Sequence, residues 1–215
     1  GLTTCRISLT ARPQSMRAPV ATAVVTEVAA RLGIDEPLIT ASGALVKRPM
    51  DHVTLSRAEF GPGVLEEVVA TIVAAGHEPV LYSDSFAEGF DFHCRCLDVP
   101  DPPDGAGPGH AGLAEYMERN RHLARVVPDL HRTLPPGVFA GFTMGPHGAM
   151  LDLEAALHEA FPGRLSLHTI RSPRYLNWMC EIAPAGVTKW SGVSTLAREW
   201  GIAAAEICAV GDDVN

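Results

Sequence analysis

The stretch that decides the fold is EIAPAGVTKWSGVSTLAREWGIAAAEICAVGDDVN, residues 181–215. Its middle part predicts an amphipathic helix that ends at Gly201. The apolar face of that helix consists of Val193, Leu196, Ala197 and Trp200. The run EICAV, residues 206–210, then predicts a buried strand with Asp212 and Asp213 at its tip. A helix followed by such a strand is typical of a parallel sheet, so this end of the chain predicts an α/β fold.

The N-terminal end of the chain has the same character. TTCRISL, residues 3–9, is rich in β-forming residues, and an amphipathic helix is predicted over 17–32 with Gly33 as its stop. PLITASGALV, residues 37–46, predicts an apolar strand that is broken at Ser42 and Gly43. Strand, helix and strand in this order again indicate a parallel sheet.

The middle of the chain has a different pattern. Helices are predicted over 65–76, 113–124 and 150–161, and residues 100–112 form a loop rich in proline and glycine. Strands are predicted over 78–83, 137–144, 165–170 and 175–182. Hairpin-like connections between them favour an α+β insert. We therefore expect a Rossmann-like parallel-sheet core, formed by 1–48 and 184–215, with an inserted α+β domain at 49–183.

Composition excludes several classes of function. The net charge is −8, and no cluster of Lys and Arg is present, which argues against a nucleic-acid partner. No apolar run approaches the roughly 18 residues of a membrane span. The cysteine count is five, and an odd number of mostly strand-like cysteines is typical of reduced thiols in a cytoplasmic protein. His93, Cys94 and Cys96 have the wrong spacing for a zinc pair and fit alternating strand positions better.

Polar residues follow the predicted strands of the core. In an open α/β sheet, ligands bind beyond the carboxyl ends of the strands. The residues expected near that edge are Thr10, Ser42, Gly43, Asp212 and Asp213, with Lys189 at the start of a helix. A hydroxyl, a cation and carboxylates suit a phosphate held beside Mg²⁺. The same residues also fit solvated loops or helix caps, so the residues alone leave both interpretations open.

The order of four segments adds specificity. The segments LTARP, ITASGALV, EIAPAGVTKW and EICAVGDDVN, with a long insert between the second and third, resemble the haloacid dehalogenase superfamily. Within it, the chain is most similar to the Cof-type phosphatases, which carry an inserted cap of the class IIB type. The resemblance implies the α/β core with an α+β cap that the residue patterns also indicate.

The resemblance also implies roles for individual residues. Thr10, helped by the backbone of Ala11, would bind the transferred phosphoryl group, and Lys189 would neutralise its charge. Asp212 would coordinate Mg²⁺, whereas Asp213 occupies a variable position. Further contacts to phosphate or substrate are expected from Ser42, Gly43 and Asn215. Thr10 and Lys189 are thus the expected catalytic residues in this chain.

Three positions depart from the family pattern, and one motif is missing. Ala11 stands where the family has Gly, Ser42 where it has Asn, and Trp190 where it has Gly after the lysine. The Asp-x-Asp of the first motif, whose first Asp is the family's nucleophile, has no counterpart in residues 1–215. We expect it upstream of Gly1.

The strand predicted at 175–182 has two faces with different expected roles. Alternation predicts a buried face made of Leu176, Trp178, Cys180 and Ile182. The opposite face is expected to look toward the active site, as the resemblance implies for a cap sheet; it consists of Tyr175, Asn177, Met179 and Glu181. Arg171 and Arg174 are further candidates for binding an anionic substrate.

The expected function is that of a Mg²⁺-dependent phosphatase acting through an aspartyl-phosphate on a small phosphorylated metabolite, such as a sugar phosphate. The first alternative is a catalytically inactive ligand-binding or regulatory module on the same fold, which the departures at Ala11, Ser42 and Trp190 motivate. A receiver-type phospho-acceptor domain is a weaker alternative, because the long insert argues against it. Substrate identity and oligomeric state are left open by the residues.

Overall fold

A small antiparallel sheet lies near the N-terminal end of the described part of the protein. The structure, a computed structural model, describes residues 29–99, 110–172 and 174–208 of the chain. Strands β1 (Leu38–Thr40), β2 (Leu45–Lys47) and β3 (Thr54–Arg57) form this three-stranded sheet. A 3₁₀ turn at Ala41–Gly43 joins β1 to β2; we call it the motif turn. The predicted strand over 37–46 is therefore two strands folded back on each other, because the chain reverses at Ser42 and Gly43.

The second sheet has six strands in the order β6-β5-β4-β7-β9-β8. Its strands are β4 (Val80–Ser83), β5 (Phe92–Cys94), β6 (Ala124–Val126), β7 (Val138–Gly145), β8 (Leu165–Arg171) and β9 (Trp178–Pro184). Their neighbours are antiparallel except for the parallel pair β5–β6. Four α-helices lie entirely within the described residues: α1 (Val64–Ala74), α2 (Ala111–Asn120), α3 (His147–Ala160) and α4 (Lys189–Glu199). All four lie where helices are predicted, with ends shifted by a few residues.

Two helices cover one face of the six-stranded sheet. The apolar stripes of α1 and α3 pack on β8 and β9 in a buried cluster. Its members include Val68, Ile72, Leu153, Leu157, Leu167, Cys180 and Ile182. Apolar residues at helical spacing from both helices thus meet alternate residues of the strands. This face is closed to solvent by its own helices.

The other face of the sheet packs against α2 only in part. Tyr116 and Met117 of α2 lie in a buried cluster with Phe92 and Phe142 of the sheet. The hydroxyls of Tyr82 and Tyr116 share a hydrogen bond of 2.9 Å inside it. Ala44 and Leu45, which follow the motif turn, belong to the same cluster. The motif turn is thereby brought against the face of the six-stranded sheet that α1 and α3 do not cover.

Within β9 the side chains alternate between the two faces of the sheet, but burial does not alternate: Met179, expected on the free face, is 1% exposed, so that expectation is wrong for Met179 as well. Cys180 and Ile182 are buried as expected, but Leu176 is 63% exposed. Tyr175 is buried although it was expected on the free face. The strand begins only at Trp178, and Asn177 before it has φ of +72°, which breaks the period-two pattern. The expectation for Leu176 and Tyr175 is therefore wrong, because both precede the extended segment.

A buried ion pair ties the small sheet to the large one. Lys47 of β2 donates to the Asp84 carboxylate at 2.5 Å, and the Thr54 hydroxyl donates to the same carboxylate. Asp84 directly follows β4, so this contact joins two sheets. The predicted boundary between residues 48 and 49 lies in the connection from β2 to β3, and the division 1–48, 49–183 and 184–215 stays a prediction.

The C-terminal part of the described chain continues with α4 and a 3₁₀ turn at Ala204–Glu206. Glu206 is in that turn and not in the strand predicted over 206–210, of which residues 209 and 210 are outside the described ranges. Residues 29–32 are helical, as the helix predicted over 17–32 requires. Among the described residues, no helix combines the length and apolar character needed to cross a membrane.

Replacing a buried leucine of α3 tests the packing of this helix on the sheet. Leu157 is fully buried, whereas Leu151 on the same helix is 46% exposed. We expect Leu157→Ala to lower the free energy of unfolding by about 2–5 kcal/mol, because it leaves a cavity. Leu151→Ala is the matched control, with an expected change within about 0.5 kcal/mol. Urea denaturation of both variants measures this, and equal losses would contradict the assigned packing.

Candidate active site

The site begins where the motif turn meets the start of α4. Gly43 has φ of +105°, and a Cβ at this position would overlap the carbonyl oxygen of Thr188. The same Cβ would lie 3.1 Å from the backbone nitrogen of Lys189. Gly192 faces the turn from α4, with its own added Cβ 3.5 Å from the Cα of Gly43. Two glycines therefore allow the backbone of the motif turn to touch the N-terminus of α4.

The N-terminus of α4 is fixed by its own side chains. Thr188 is the N-cap residue, and its hydroxyl accepts a hydrogen bond from the Ser191 nitrogen at 3.0 Å. The Ser191 hydroxyl accepts in return from the Thr188 nitrogen at 2.9 Å. This capping box holds Lys189 in the first turn, where the helix dipole already favours an anion. Lys189 therefore adds a full positive charge to a helix end suited to phosphate.

The motif turn holds Ser42 in an unusual conformation. Ala41 and Ser42 have φ of +47° and +55°, the left-handed region that residues with a Cβ seldom adopt. The Ser42 hydroxyl donates a hydrogen bond of 3.1 Å to Oε2 of Glu181 on β9. Such backbone strain is concentrated at functional sites, where surrounding contacts maintain it. The strain here places a hydroxyl of the turn against a carboxylate of the six-stranded sheet.

Glu181 is the acidic group of this site. It pairs with His168 of β8 and with Phe142 of β7, so it lies on the sheet face that α1 and α3 leave uncovered. Burial raises the pKa of its carboxyl, and the Ser42 hydrogen bond and the charges of His168 and Lys189 partly offset this effect. Lys189, at the start of α4, therefore lowers the pKa of a carboxyl group on the six-stranded sheet.

A cleft separates the motif turn from the six-stranded sheet at this point. The enclosed space within it is about 20 Å³, room for about one water molecule, and the cleft is open to solvent. Its walls include Ser42, Tyr82, Phe142, Ser166, His168 and Glu181. Apolar walls with a few polar groups are typical of sites that bind small ligands.

Three of the predicted site residues come together here. Ser42 and Gly43 lie in the motif turn, and Lys189 follows the residue that Gly43 touches. Thr10, Ala11, Asp212 and Asn215 lie outside the described residues. Trp190 is 50% exposed, and Arg171 and Arg174 are exposed as well. The chemical roles assigned to all of these residues remain predictions.

The metal prediction depends on a residue outside the described ranges. Asp212 is the expected ligand, and carboxylate oxygen is the donor type that Mg²⁺ prefers. Within 29–99, 110–172 and 174–208, no three His, Cys, Asp or Glu side chains are grouped so as to hold a metal ion. We therefore derive no step of the chemistry through Mg²⁺.

Sequence reasoning indicated Glu181 only in part and His168 not at all. Strand alternation placed Glu181 on the predicted free face with Tyr175, Asn177 and Met179, and it is the one of these four that lines the cleft. Met179 is buried in the apolar cluster beside α2. His168 gave no signal in the sequence beyond its place in a strand. Its position becomes clear only from the pairing of β8 with β9.

Comparison with known proteins gives the family to which this fold and site belong. The family model of the haloacid dehalogenase-like hydrolases matches residues 21–215. The chain therefore belongs to the haloacid dehalogenase-like hydrolase family. No curated protein matches it in sequence.

Solved structures show the same fold at low sequence identity. A haloacid dehalogenase-like hydrolase from Bacteroides thetaiotaomicron has a TM-score of 0.65 and 14% identity, over 89% of this chain and 65% of the other. One from B. subtilis has a TM-score of 0.63 and 16% identity, over 90% and 69%. A protein described as a subclass IIB sugar phosphatase has a TM-score of 0.56 and 12% identity, over 86% and 60%. These matches confirm the predicted fold class, a Rossmann-like α/β core with an inserted α+β domain.

The chain is shorter than these proteins. It spans 65% of the Bacteroides thetaiotaomicron protein and 60% of a similar protein from Thermotoga maritima, whose TM-score is 0.60. The activity and substrate of the whole protein are therefore matters of proposal.

Substitution of Gly43 tests the contact on which the site depends. Gly43→Ala places a methyl group against the backbone of Thr188, so we expect a loss of about 1–3 kcal/mol beyond the cost of the positive φ. Gly201→Ala is the matched control: Gly201 has φ of +67° and open space around its added Cβ. The control should lose only about 1–2 kcal/mol. Chemical denaturation gives both values, and equal losses would mean that the backbone contact is absent.

The pH dependence of stability tests the burial of Glu181. Its pKa is raised above the ordinary 4.5, so the unfolded chain releases this proton at lower pH than the folded protein. The free energy of unfolding therefore falls as the pH rises through that window. Glu181→Gln removes the effect, and we expect the stability difference between variant and wild type to shift in favour of the variant as the pH rises above the ordinary pKa of 4.5. A difference that stays constant over this range would contradict a buried carboxyl.

Proposed function

We propose that the protein is a Mg²⁺-dependent phosphatase that hydrolyses a small phosphorylated metabolite, a sugar phosphate or a similar phosphomonoester. The observation that carries the proposal is the contact between the motif turn and the start of α4, which brings Ser42, Gly43 and Lys189 to one place. Membership in the hydrolase family supports it, as does the likeness in fold to a subclass IIB sugar phosphatase. The free thiols of Cys94, Cys96, Cys180 and Cys208 fit a cytoplasmic location, which is part of the proposal.

Lys189 supplies the charge that phosphoryl transfer requires. Its ammonium group lies at a helix end whose dipole also attracts anions. Charge spreads over the phosphoryl oxygens in the transition state, and a fixed cation stabilises it there without having to reorganise. The backbone of the motif turn would approach the same anion, because Gly43 presents no side chain in the way.

Thr10 and Ala11 complete the proposed phosphate site, and Asn215 would hydrogen-bond to phosphate or substrate. The nucleophile would be the first Asp of an Asp-x-Asp segment, forming an aspartyl-phosphate that water then hydrolyses. Asp212 would hold Mg²⁺, which when bound neutralises charge on the phosphate. The six-stranded sheet would cover the site and exclude water, because its uncovered face already lines the cleft.

Activity of the complete protein tests the proposal directly. We expect hydrolysis of p-nitrophenyl phosphate in the presence of Mg²⁺ and its loss with EDTA. Lys189→Ala is expected to lower kcat by about 100-fold or more, since it removes a charge aimed at the transition state. Arg198→Ala is the matched control, because Arg198 is an exposed cation at the other end of α4.

Three results would oppose the proposal. Full activity in Lys189→Ala would remove Lys189 from the site, and equal losses in both variants would indicate damage to α4. Binding of inorganic phosphate without any turnover by the complete protein would favour the inactive ligand-binding module.

A further inference from the structure

The carboxylate of Glu181 has an incomplete set of partners. Its Oε2 accepts the hydrogen bond from Ser42, and Oε1 has no hydrogen-bond partner among the described residues. Oε1 is not one of the fully buried side-chain atoms that lack a partner in the described residues, so it is accessible from the cleft. An ionised carboxylate accepts several hydrogen bonds, and a partly buried one is costly unless they are made. Oε1 of Glu181 is therefore a free hydrogen-bond acceptor at the cleft, and a bound ligand could donate a hydrogen bond to it.

The surroundings of Glu181 narrow the kind of donor. His168 is directly opposite on β8, and Ser166 lies two residues further along the same face. Tyr82 and Phe142 form an apolar wall beside them. A cleft with polar groups on one wall and aromatic rings on the other suits a ligand that has both hydroxyl groups and an apolar face.

The charges near Glu181 favour a neutral donor over a cationic one. Burial raises the pKa of this carboxyl, and the positive charge of Lys189 is among the effects that partly offset the rise. A ligand ammonium group would add a second positive charge beside Lys189 and would be repelled by it. A hydroxyl group donates to the carboxylate without that repulsion.

We propose that Glu181 binds a hydroxyl group in the alcohol part of the substrate, and that Ser42 positions its carboxylate for this purpose. The inference rests on the proposed phosphatase function and assigns the selection of hydroxyl-bearing phosphomonoesters to one residue of the six-stranded sheet. It also gives a role to the serine that replaces the family's asparagine in the motif turn. The hydroxyl group of Ser42 donates a hydrogen bond across the cleft to the carboxylate of Glu181.

The test compares two kinds of substrate in the complete protein with Mg²⁺. D-glucose 6-phosphate and sorbitol 6-phosphate carry free hydroxyl groups, whereas p-nitrophenyl phosphate has none beyond its phosphate. We expect the ratio of kcat/KM between the better polyol phosphate and p-nitrophenyl phosphate to fall about 10- to 100-fold in Glu181→Gln. Glu159→Gln is the matched control, because Glu159 is an exposed carboxylate on α3, behind the opposite face of the sheet. Its ratio should stay within about twofold of the wild type.

The role of Ser42 is tested by a double-mutant cycle. Ser42→Ala should lower the same selectivity ratio, mainly through a higher KM for the polyol phosphate. In the Glu181→Gln background, Ser42→Ala should have little further effect on the ratio, because a positioning residue acts through the group it holds. Additive effects of the two substitutions would overturn the positioning role.

Each remaining outcome decides a different question. Equal losses on both kinds of substrate in Glu181→Gln would overturn the inference and leave the phosphatase function standing. The same holds if the wild type cleaves p-nitrophenyl phosphate but neither polyol phosphate. A wild-type preference for phosphoethanolamine that disappears in Glu181→Gln would show that the carboxylate binds a cation instead. If the complete wild-type protein cleaves none of these esters, the proposed function fails and this inference with it.

Discussion

The arrangement of the site depends on one backbone contact, the approach of Gly43 to Thr188. A side chain at position 43 would overlap the Thr188 carbonyl, and Gly192 removes a second obstacle from α4. The contact sets the distance between the motif turn and Lys189. It also fixes the direction in which the turn presents Ser42 to Glu181. Two segments separated by more than 140 residues therefore share one site because two glycines permit it.

Much of the fold follows from local sequence patterns. Apolar residues at helical spacing predict α1, α3 and α4, and α1 and α3 pack on the sheet where their stripes require. The α4 stripe is buried at Val193, Leu196 and Ala197, but Trp200 is exposed. The patterns fail where the backbone leaves regular geometry. The motif turn reverses the chain inside what reads as one strand, and Asn177 breaks the alternation before β9. Positive φ at residues other than glycine depends on tertiary contacts, so a single sequence does not reveal it.

The site was predictable in part, and for a clear physical reason. Lys189, Ser42 and Gly43 stand beside helix starts and strand ends, which are the places where an α/β fold binds anions. Glu181 and His168 instead belong to a pairing between strands, and register cannot be read from either strand alone. Strand alternation narrowed the choice to one face of β9. The three-dimensional structure is needed to show that Glu181 accepts a hydrogen bond from the motif turn and lies opposite His168.

The central claim is that the motif turn and the first turn of α4 bind a single phosphate. A crystal structure of the complete protein with orthovanadate and Mg²⁺ tests it most directly. The account predicts the anion about 3 Å from Nζ of Lys189 and from a backbone nitrogen of the motif turn. Vanadate bound elsewhere, with Lys189 and the motif turn contacting only solvent, would contradict the account.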